Sequence, residues 1–236
     1  MVIKMGKIIS LVNQKGGVGK TTSSINLAAS LGVLKKKILL VDLDPQGNTT
    51  TGIGKNKADI KQSIYDLLID QATLEEVIVK TKFTNLSVIP ATINLAGVDI
   101  ELMEKSKFDK DFSKGSQLKK YLHGLKNDYD YVIIDCPPSL GILTTNALTA
   151  SDSVIIPVQC EFFALEGIMQ LLNTIMLAQK NLNPTLDIEG VLLTMLDSRT
   201  NLGLEVVEEI KIYFKERVYD TIIPRLVRLS EAPSHG

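Results

Sequence analysis

The stretch Asn13–Thr22, NQKGGVGKTT, decides how the rest of the chain is interpreted. A short apolar run, Lys7–Val12, precedes it, and a pattern with helical spacing, Lys20–Leu34, follows it. A glycine-rich turn between a strand and a helix is typical of phosphate-binding loops. The usual spacing, G-x-x-x-x-G-K-[ST], would place the first glycine at position 14, which is Gln14. The loop is therefore a variant, and it carries an additional lysine, Lys15.

Each part of this loop has a chemical reason. Its glycines let backbone N–H groups approach phosphate oxygens, and the N-terminus of the following helix adds positive potential. Lys20 can reach the β- and γ-phosphates, the Thr21 hydroxyl is placed to bind Mg²⁺, and Thr22 can hydrogen-bond the α-phosphate. The loop residues predicted to bind nucleotide are Lys15, Gly16, Gly17, Val18, Gly19, Lys20, Thr21 and Thr22.

Two other predicted strands end in carboxylates. The strand Tyr131–Asp135 stops in an acid, and the strand Ile38–Asp42 is followed closely by Asp44. Parallel strands present their carboxyl ends at one edge of a sheet, where ligands bind in such folds. We therefore predict a Mg²⁺ site formed by Thr21, Asp44 and Asp135. Asp135 is expected to act through water, because Mg²⁺ keeps much of its hydration.

The attacking water needs a carboxylate of its own. Asp44 lies nearer the tip of its loop, so we predict that it orients the water, whereas Asp42 stays inside and ties the strand to the loop. The predicted catalytic set is Lys15, Lys20 and Asp44. A guanine-specific site usually carries an N-K-x-D element on a later strand. We identify none on a strand after Thr22, which favours ATP.

Short apolar runs alternate with helical patterns along the whole chain. Further strands are predicted at Leu86–Pro90, Ser153–Pro157, Ile188–Thr194 and Asp220–Ile223, and the clearest further helices at Leu165–Gln179 and Gly203–Phe214. This alternation indicates an α/β fold, a doubly wound, mostly parallel sheet flanked by helices and covered on both faces. Gly52–Phe83 is predicted to form helices in a surface excursion, and Lys105–Gly115 a solvated connection.

The composition excludes several classes of protein. The net charge of the 236 residues is −1, so any nucleic-acid binding must come from a local patch. Aromatic residues make up 5% and tryptophan is missing, which weakens a base-stacking model of single-strand binding. No run of 18 apolar residues occurs, as a membrane-spanning helix would need. Two cysteines without a framework spacing suit a reducing cytosol.

Five motifs together resemble a known family. They are KGGVGKTT, VDLDPQGN, IIDCPPSLG, TMLDSRTN and IPRLVRLSEAPSHG, in order from about residue 6 to 236. They resemble the ParA/Soj family of chromosome- and plasmid-partitioning ATPases, P-loop NTPases of the deviant Walker A (SIMIBI) class. The resemblance implies ATP and Mg²⁺ as cofactors. It also implies a further strand and a terminal helix after SEAPSHG, so we expect residues 1–236 to form a single P-loop ATPase domain lacking both.

The resemblance gives the additional lysine a function. In the family this lysine, here Lys15, reaches across a nucleotide-sandwich dimer and contacts the phosphates bound by the partner. An ATP-dependent homodimer is therefore expected, and Gly17 must stay small because the two loops meet there.

The resemblance also implies partners. Family dimers bind double-stranded DNA without sequence preference, and a centromere-binding protein of the ParB/Spo0J type stimulates slow ATP hydrolysis, which separates the dimer. We thus expect a cytoplasmic, nucleoid-associated protein without membrane contact. By family position, the residues expected to contact DNA are Arg199, Arg225 and Arg228. Pro224 and Arg225 are expected beside the adenine, and Leu226 replaces a frequent asparagine, which removes a polar contact there.

Three alternatives remain at this point. A MinD-like, membrane-associated cell-division ATPase shares the loop but needs a C-terminal amphipathic helix, and none is visible. An electron-transfer iron protein also shares the loop and would use Cys136 and Cys160 as cluster ligands, but we expect these thiols to be buried and inert. A DNA-binding scaffold that only senses ATP is the third alternative.

Overall fold

The computed structural model describes residues 5–109, 112–161 and 164–231, and within them seven strands form one sheet. The strands are β1 Lys7–Leu11, β2 Ile38–Asp42, β3 Val79–Lys80, β4 Leu86–Ile89, β5 Tyr131–Asp135, β6 Ser153–Gln159 and β7 Asp187–Thr194. Their order is β3-β4-β2-β5-β1-β6-β7, and every neighbouring pair is parallel except β3 with β4. The predicted fold class is confirmed.

Most of the helices in the described residues connect these strands, and two follow β7. They are α1 Lys20–Val33, α2 Asn48–Gly52, α3 Ile64–Leu68, α4 Leu74–Val77, α5 Val98–Phe108, α6 Gln117–Leu122, α7 Ile142–Ala150, α8 Ala164–Asn181, α9 Asn201–Phe214 and α10 Val227–Glu231. The three helices predicted from periodicity, α1, α8 and α9, lie within two residues of their expected ends.

Successive side chains of each strand point to opposite faces of the sheet. Both faces are buried, because each packs in an apolar cluster that also contains helix residues. In β2, Leu39 and Val41 join the larger apolar cluster, whereas Ile38 and Leu40 join the smaller one. Helix α1 covers the smaller cluster with Ala28, and the helices α3 and α5 to α9 contribute to the larger one. A continuous apolar strand such as ILLVD is the result of this double coverage.

The strand register brings the predicted site residues to one edge. Leu11 at the end of β1 pairs with Asp135 at the end of β5, and Asp42 at the end of β2 pairs with the same residue. The phosphate-loop candidate Asn13–Thr22 leaves β1 at this level and leads into α1. The carboxyl edge of the three central strands therefore carries the loop and both acidic segments, as the alternation of strands and helices predicted.

One predicted strand is absent from the described residues, and one observed strand was not predicted. Asp220–Ile223 is not a strand, because the isolated bridges near it lie outside that range, at Val218 and Pro224, and Asp220 is exposed. The segment still contacts β7 where the Ile223 N–H donates to the Leu193 carbonyl oxygen at 2.9 Å. The short antiparallel strand β3 was not predicted, since its two residues are too few to form a pattern.

Two connections also differ from expectation. Gly52–Phe83 is more than a surface excursion, because Ile64, Leu67 and Leu68 of α3 are fully buried in the larger cluster. The first residues of the predicted connection Lys105–Gly115 are helical and belong to α5, while residues 110–111 of that connection lie outside the described part of the chain. Residues 232–236, the end of the SEAPSHG motif, also lie outside it.

Candidate nucleotide-binding site

The glycine-rich loop is held in a shape that side chains disfavour. Gly17 has φ +74° and Gly19 has φ +86°, both in the left-handed region that glycine adopts without strain. A Cβ atom at Gly17 would meet nothing within 4 Å, so within one copy of the chain the backbone conformation, not crowding, requires this glycine. Gly19 precedes the first residue of α1, Lys20, so the loop opens onto the helix N-terminus.

The start of the loop is hydrogen-bonded to β6. The buried Asn13 side chain donates to the carbonyl oxygen of Pro157 at 2.7 Å, and its own oxygen accepts from the backbone N–H of Lys15 at 3.0 Å. Later in the loop, the carbonyl oxygen of Val18 accepts a hydrogen bond from the Thr194 hydroxyl at 2.9 Å. The loop is therefore hydrogen-bonded to both β6 and β7.

A cavity of about 460 Å³ lies beside this loop. Its lining combines loop residues, the Asp44 turn and the segment after β7. The lining residues are Gly16, Gly17, Gly19, Lys20, Thr21, Thr22, Ser23, Asp44, Gln46, Asn48, Pro138, Thr194, Met195, Ile223, Pro224, Arg225, Leu226 and Leu229. Most of the residues predicted to bind nucleotide are therefore together. Two of the predicted loop residues are exceptions: the side chain of Val18 is buried, and Lys15 lines a neighbouring cavity.

Lys20 is almost buried at the phosphate end of this cavity. Its ammonium group donates to the carbonyl oxygen of Lys15 at 3.0 Å. Burial lowers the pKa of Lys20, and the nearby carboxylates of Asp135 and Asp44 oppose this effect. A partly desolvated cation in a glycine-rich loop at a helix N-terminus is suited to a polyanionic ligand, whose charge would compensate the cost of burial.

Asp135 is fully buried and accepts hydrogen bonds from three hydroxyl groups. Thr21 and Thr49 each donate to its Oδ2 atom at 2.7 Å, and Ser24 donates to Oδ1 at 3.1 Å. Burial raises the pKa of Asp135, whereas these three donors lower it. The contact with Thr21 joins the two predicted metal-site residues from β5 and α1 directly.

The structure separates the two acids that follow β2. Asp42 is fully buried, and its Oδ2 accepts from both the backbone N–H and the hydroxyl of Thr50, each at 2.7 Å. Burial and the neighbouring Asp135 raise the pKa of Asp42 to about 7. Asp44 lines the cavity instead, and its Oδ1 accepts from the backbone N–H of Gln46 at 2.9 Å. Asp42 is therefore inside the protein, as predicted, whereas the predicted role of Asp44 in orienting the water stays a prediction.

The donor set at this end of the cavity fits Mg²⁺. In the lining, Thr21 supplies a hydroxyl oxygen and Asp44 a carboxylate oxygen, the hard ligands that Mg²⁺ prefers. Asp135 is buried outside the lining and bonded to Thr21, which suits a contact with Mg²⁺ through water. A site with so few protein ligands is typical of Mg²⁺ bound together with phosphates and water.

Lys15 points away from the cavity that holds Lys20. Its ammonium group pairs with Glu161 at 3.1 Å, and its side chain is 38% exposed. It lines a neighbouring cavity of about 550 Å³ together with Gln14, Pro138, Ser139, Leu140, Gly167 and Gln170. The two lysines of the loop therefore face different spaces, which the sequence predicted only through the family resemblance.

The segment after β7 contributes both polar and apolar residues to the lining of the 460 Å³ cavity. Pro224 and Arg225, predicted to lie beside the adenine, are both in its lining, and Leu226 and Leu229 add apolar surface. One N-K-x-D tetrapeptide does occur in the sequence, at residues 56–59, but it lies on a turn after α2 and not in this lining. The position of that tetrapeptide does not suit guanine recognition.

The three arginines predicted to contact DNA lie in different surroundings. Arg199 forms a two-bond contact with Asp197, at 2.8 and 2.7 Å, and this arginine lowers the pKa of Asp197 to about 2. Arg225 lines the cavity, and Arg228 is exposed on α10. All three arginines follow β7 in the chain, but of the three only Arg225 lines the cavity.

Both cysteines are buried, as expected from the sequence. Cys136 follows Asp135 directly and is 1% exposed. Burial raises the pKa of the Cys136 thiol, and it raises the pKa of Cys160 to about 11. Protonated, inaccessible thiols are poor ligands for a shared iron–sulfur cluster, which weakens the iron-protein alternative.

Sequence reasoning missed the polar contacts that support the site. Thr49, Thr50 and Ser24 are fully buried and bind the two strand-end acids, and Met195 and Leu229 line the cavity. A signal for the threonines was present, since they follow the DPQGN turn directly, but a pair of threonines is a common sequence. Nothing in the sequence indicated their partners.

A phosphate loop, a helix N-terminus and two strand-end acids at one edge of a parallel sheet define a P-loop NTPase. A family model described as an AAA domain matches residues 6–188. The sporulation initiation inhibitor protein Soj of Bacillus subtilis is 62% identical over 232 residues, which is 98% of this chain and 89% of that protein. The chromosome partitioning protein ParA of Myxococcus xanthus is 51% identical over 98% of this chain and 80% of its own length. The chain belongs to the ParA/Soj family of chromosome-partitioning ATPases.

A solved structure extends the comparison to ligands. The cobyrinic acid a,c-diamide synthase of Mycobacterium smegmatis, crystallised with an ATP analogue and magnesium, superposes with a TM-score of 0.86 and is 38% identical. The match covers 93% of this chain and 85% of that one. The fold of the two proteins is therefore shared across the sheet and the loop.

Proposed function

We propose that this protein is an ATP-dependent, dimerising switch that binds DNA non-specifically and drives chromosome or plasmid segregation with a ParB/Spo0J-type partner. One observation carries this proposal. Lys20 lines the cavity, whereas Lys15 lies outside its lining and forms an ion pair with the half-exposed Glu161. A loop with one inward and one outward lysine suits a nucleotide held between two copies of the chain.

ATP binds in the 460 Å³ cavity in this proposal. Lys20, Thr22 and the loop N–H groups hold the phosphates at the N-terminus of α1. Mg²⁺, held by Thr21, Asp44 and Asp135, supplies positive charge to the phosphates. The apolar surface of Leu226 and Leu229 packs against the purine.

Asp44 orients the water that attacks the terminal phosphate. It lines the same cavity as Thr21, and its carboxylate accepts a hydrogen bond from the backbone N–H of Gln46. Asp42 is not suited to this task, because it is fully buried and its oxygens already accept hydrogen bonds from Thr50 and from the backbone N–H of Asp44. The Lys15 of the second copy stabilises the charge that develops on the phosphates.

DNA binding follows from dimerisation. The net charge of one copy is −1, so a surface that attracts DNA must be local. Arg225 and Arg228 lie in a segment after β7, and dimerisation brings two such segments together. Arg199 joins them by exchanging its exposed contact with Asp197 for a phosphate, because an exposed ion pair contributes little free energy.

Hydrolysis resets the switch. When the terminal phosphate leaves, the partner's Lys15 loses its ligand, the dimer separates, and the paired DNA contacts are lost. A ParB/Spo0J-type partner accelerates this step, and the protein associates with the nucleoid while ATP is bound. No helix in residues 5–109, 112–161 or 164–231 is long and apolar enough to cross a bilayer.

Size-exclusion chromatography of the Asp44→Ala variant tests the proposal. With ATP and Mg²⁺ it should elute as a dimer and, after duplex DNA is added, with the DNA. With ADP it should elute as a monomer without DNA. Elution as a monomer while ATP is bound contradicts the switch.

Vesicle flotation addresses the MinD-like alternative in the same samples. With ATP, the protein should remain in the bottom fraction of the gradient. Flotation with vesicles that depends on ATP would favour the membrane-associated function.

A further inference from the structure

The chain that carries Asp44 returns to the core through two buried threonines. Thr49 and Thr50 lie in the first turn of α2, and both are completely buried. A buried hydroxyl group costs free energy unless it forms hydrogen bonds. Both hydroxyls are bonded, and each binds a different strand-end acid.

Thr50 connects three separate segments. Its backbone N–H and its hydroxyl both donate to Asp42 Oδ2 at 2.7 Å. Its hydroxyl oxygen also accepts a hydrogen bond from the backbone N–H of Ala91 at 2.9 Å, just after β4. One side chain therefore joins the end of β2, the start of α2 and the residue beyond a neighbouring strand.

Thr49 fastens the same helix to the predicted metal site. Its hydroxyl donates to Asp135 Oδ2 at 2.7 Å, the atom that also accepts from Thr21 at 2.7 Å. Helix α2 is thereby held to β2 through Thr50 and to β5 through Thr49.

The Asp44 turn lies between these fixed points. The backbone N–H of Gly47 donates to the carbonyl oxygen of Asp44 at 2.8 Å, and Gly47 has φ +59°. The backbone N–H of Asp44 donates to Asp42 Oδ1 at 3.3 Å. The hydrogen bond from Thr50 to Asp42 closes a loop of residues 42–50. Of the two acids in this loop, Asp44 is the one that lines the cavity.

We propose that Thr50 is a positioning residue for ATP hydrolysis: its hydroxyl closes the 42–50 loop on Asp42 and holds the Asp44 carboxylate at the phosphate end of the cavity. This inference rests on the proposed function, in which Asp44 orients the water. Thr50 is not in the cavity lining, so it acts through Asp44. Small displacements of a group that positions reactants reduce rates strongly, by about 100-fold for 1 Å.

Thr50→Val tests the proposal because it removes the hydroxyl and keeps the shape. We expect kcat for ATP hydrolysis to fall at least about 10-fold. KM and the dissociation constant of a fluorescent ATP analogue should change by less than about threefold, since no phosphate contact is lost. The matched control is Thr185→Val, an exposed threonine whose hydroxyl donates to Asn183 Oδ1, outside the 42–50 loop. It should keep the wild-type kcat.

Two further variants distinguish positioning from general stability. Thr50→Ser keeps the hydroxyl and should keep kcat within about threefold of the wild type, even where its Tm is lower. If Thr50→Val does not fold, the kcat of Thr50→Ser still tests whether the hydroxyl group is what hydrolysis requires. In an Asp44→Ala background, Thr50→Val should reduce the residual single-turnover rate by less than about threefold, because two residues that act as a unit are not additive.

The outcomes separate this inference from the function on which it rests. A wild-type protein that does not hydrolyse ATP overturns the proposed function. Wild-type turnover in a folded Thr50→Val, a folded Thr50→Ser that is as slow as the valine variant, or a further 10-fold loss in the Asp44→Ala background overturns the role of Thr50 alone.

Discussion

The ammonium group of Lys20 donates a hydrogen bond to the main-chain carbonyl oxygen of Lys15, at 3.0 Å. The inward lysine of the loop is thus bonded to the backbone of the outward one. The ammonium group has three N–H donors, so Lys20 can bind a phosphate while it keeps this contact. The two lysines have different tasks, and separate substitutions should reveal them.

Lys20→Ala should abolish nucleotide binding. The variant removes the only ammonium group in the described lining of the cavity. We expect the dissociation constant of ATP to rise at least about 100-fold, or about 2.8 kcal/mol. Isothermal titration calorimetry measures this, with the exposed Lys180→Ala as a control that keeps wild-type affinity. Affinity within about threefold of the wild type would contradict the site.

Lys15→Ala should give a protein that binds ATP but stays monomeric. Its side chain does not line the cavity, so affinity for nucleotide is kept, whereas the contact with the partner's phosphates is lost. Light scattering with ATP and Mg²⁺ measures the mass. Glu161→Gln is the matched control, since it breaks the same exposed ion pair but retains the lysine, and it should still dimerise. An unchanged dimer in Lys15→Ala would refute the assignment.

Asp44→Ala should stop hydrolysis while the ATP dimer and DNA binding remain. Removing a group that orients or deprotonates water reduces rates by about 100-fold to 10,000-fold. Phosphate release under saturating ATP measures kcat, and chromatography of the same sample reports the dimer. Normal turnover in this variant would show that another group orients the water.

The sequence predicted those parts of the site that local patterns carry. The strand Tyr131–Asp135 and the loop Asn13–Thr22 are each recognisable within about ten residues, and parallel pairing then brings them to one edge. The contacts of Thr49 and Thr50 were not predictable, because the partner of Thr49 is 86 residues away and no pattern links them. Long-range polar contacts depend on the assembled sheet.

The errors in the fold have physical causes as well. Asp220–Ile223 has the composition of a strand, but its neighbour β7 bonds it only irregularly, for instance where Ile223 N–H donates to the Leu193 carbonyl oxygen at 2.9 Å. Helix α3 has five residues, too few to show a helical period, yet its apolar side chains are fully buried. Burial of such short elements is decided by tertiary packing.

Leu67→Ala should therefore destabilise the fold, although Leu67 belongs to a segment that looked like a surface excursion. It is completely buried in the larger cluster, and a leucine-to-alanine change in a core costs about 2–5 kcal/mol. Urea unfolding measures the free energy. Leu177→Ala, at a position 60% exposed on α8, is the matched control and should cost less than about 0.5 kcal/mol. Equal effects of the two changes would contradict the packing of α3.

Arg228→Glu should weaken DNA binding and spare ATP. Arg228 is exposed on α10 outside the cavity lining, so the change reverses a charge on the proposed DNA surface and leaves the phosphate site intact. A titration of the ATP-bound Asp44→Ala dimer with duplex DNA at several salt concentrations measures the effect. The slope of log affinity against log salt should become shallower by about 1 for each lost phosphate contact.

A charge-matched variant separates location from net charge. Arg217→Glu alters the net charge by the same two units, but Arg217 pairs with Asp187, the first residue of β7, at the opposite edge of the sheet from the phosphate loop. If DNA is held near Arg228, the Arg217 variant should keep most of the affinity and the full salt slope. If both variants lose affinity equally, long-range repulsion explains the effect and the DNA surface is not at α10. If neither does, the arginines after β7 do not bind DNA.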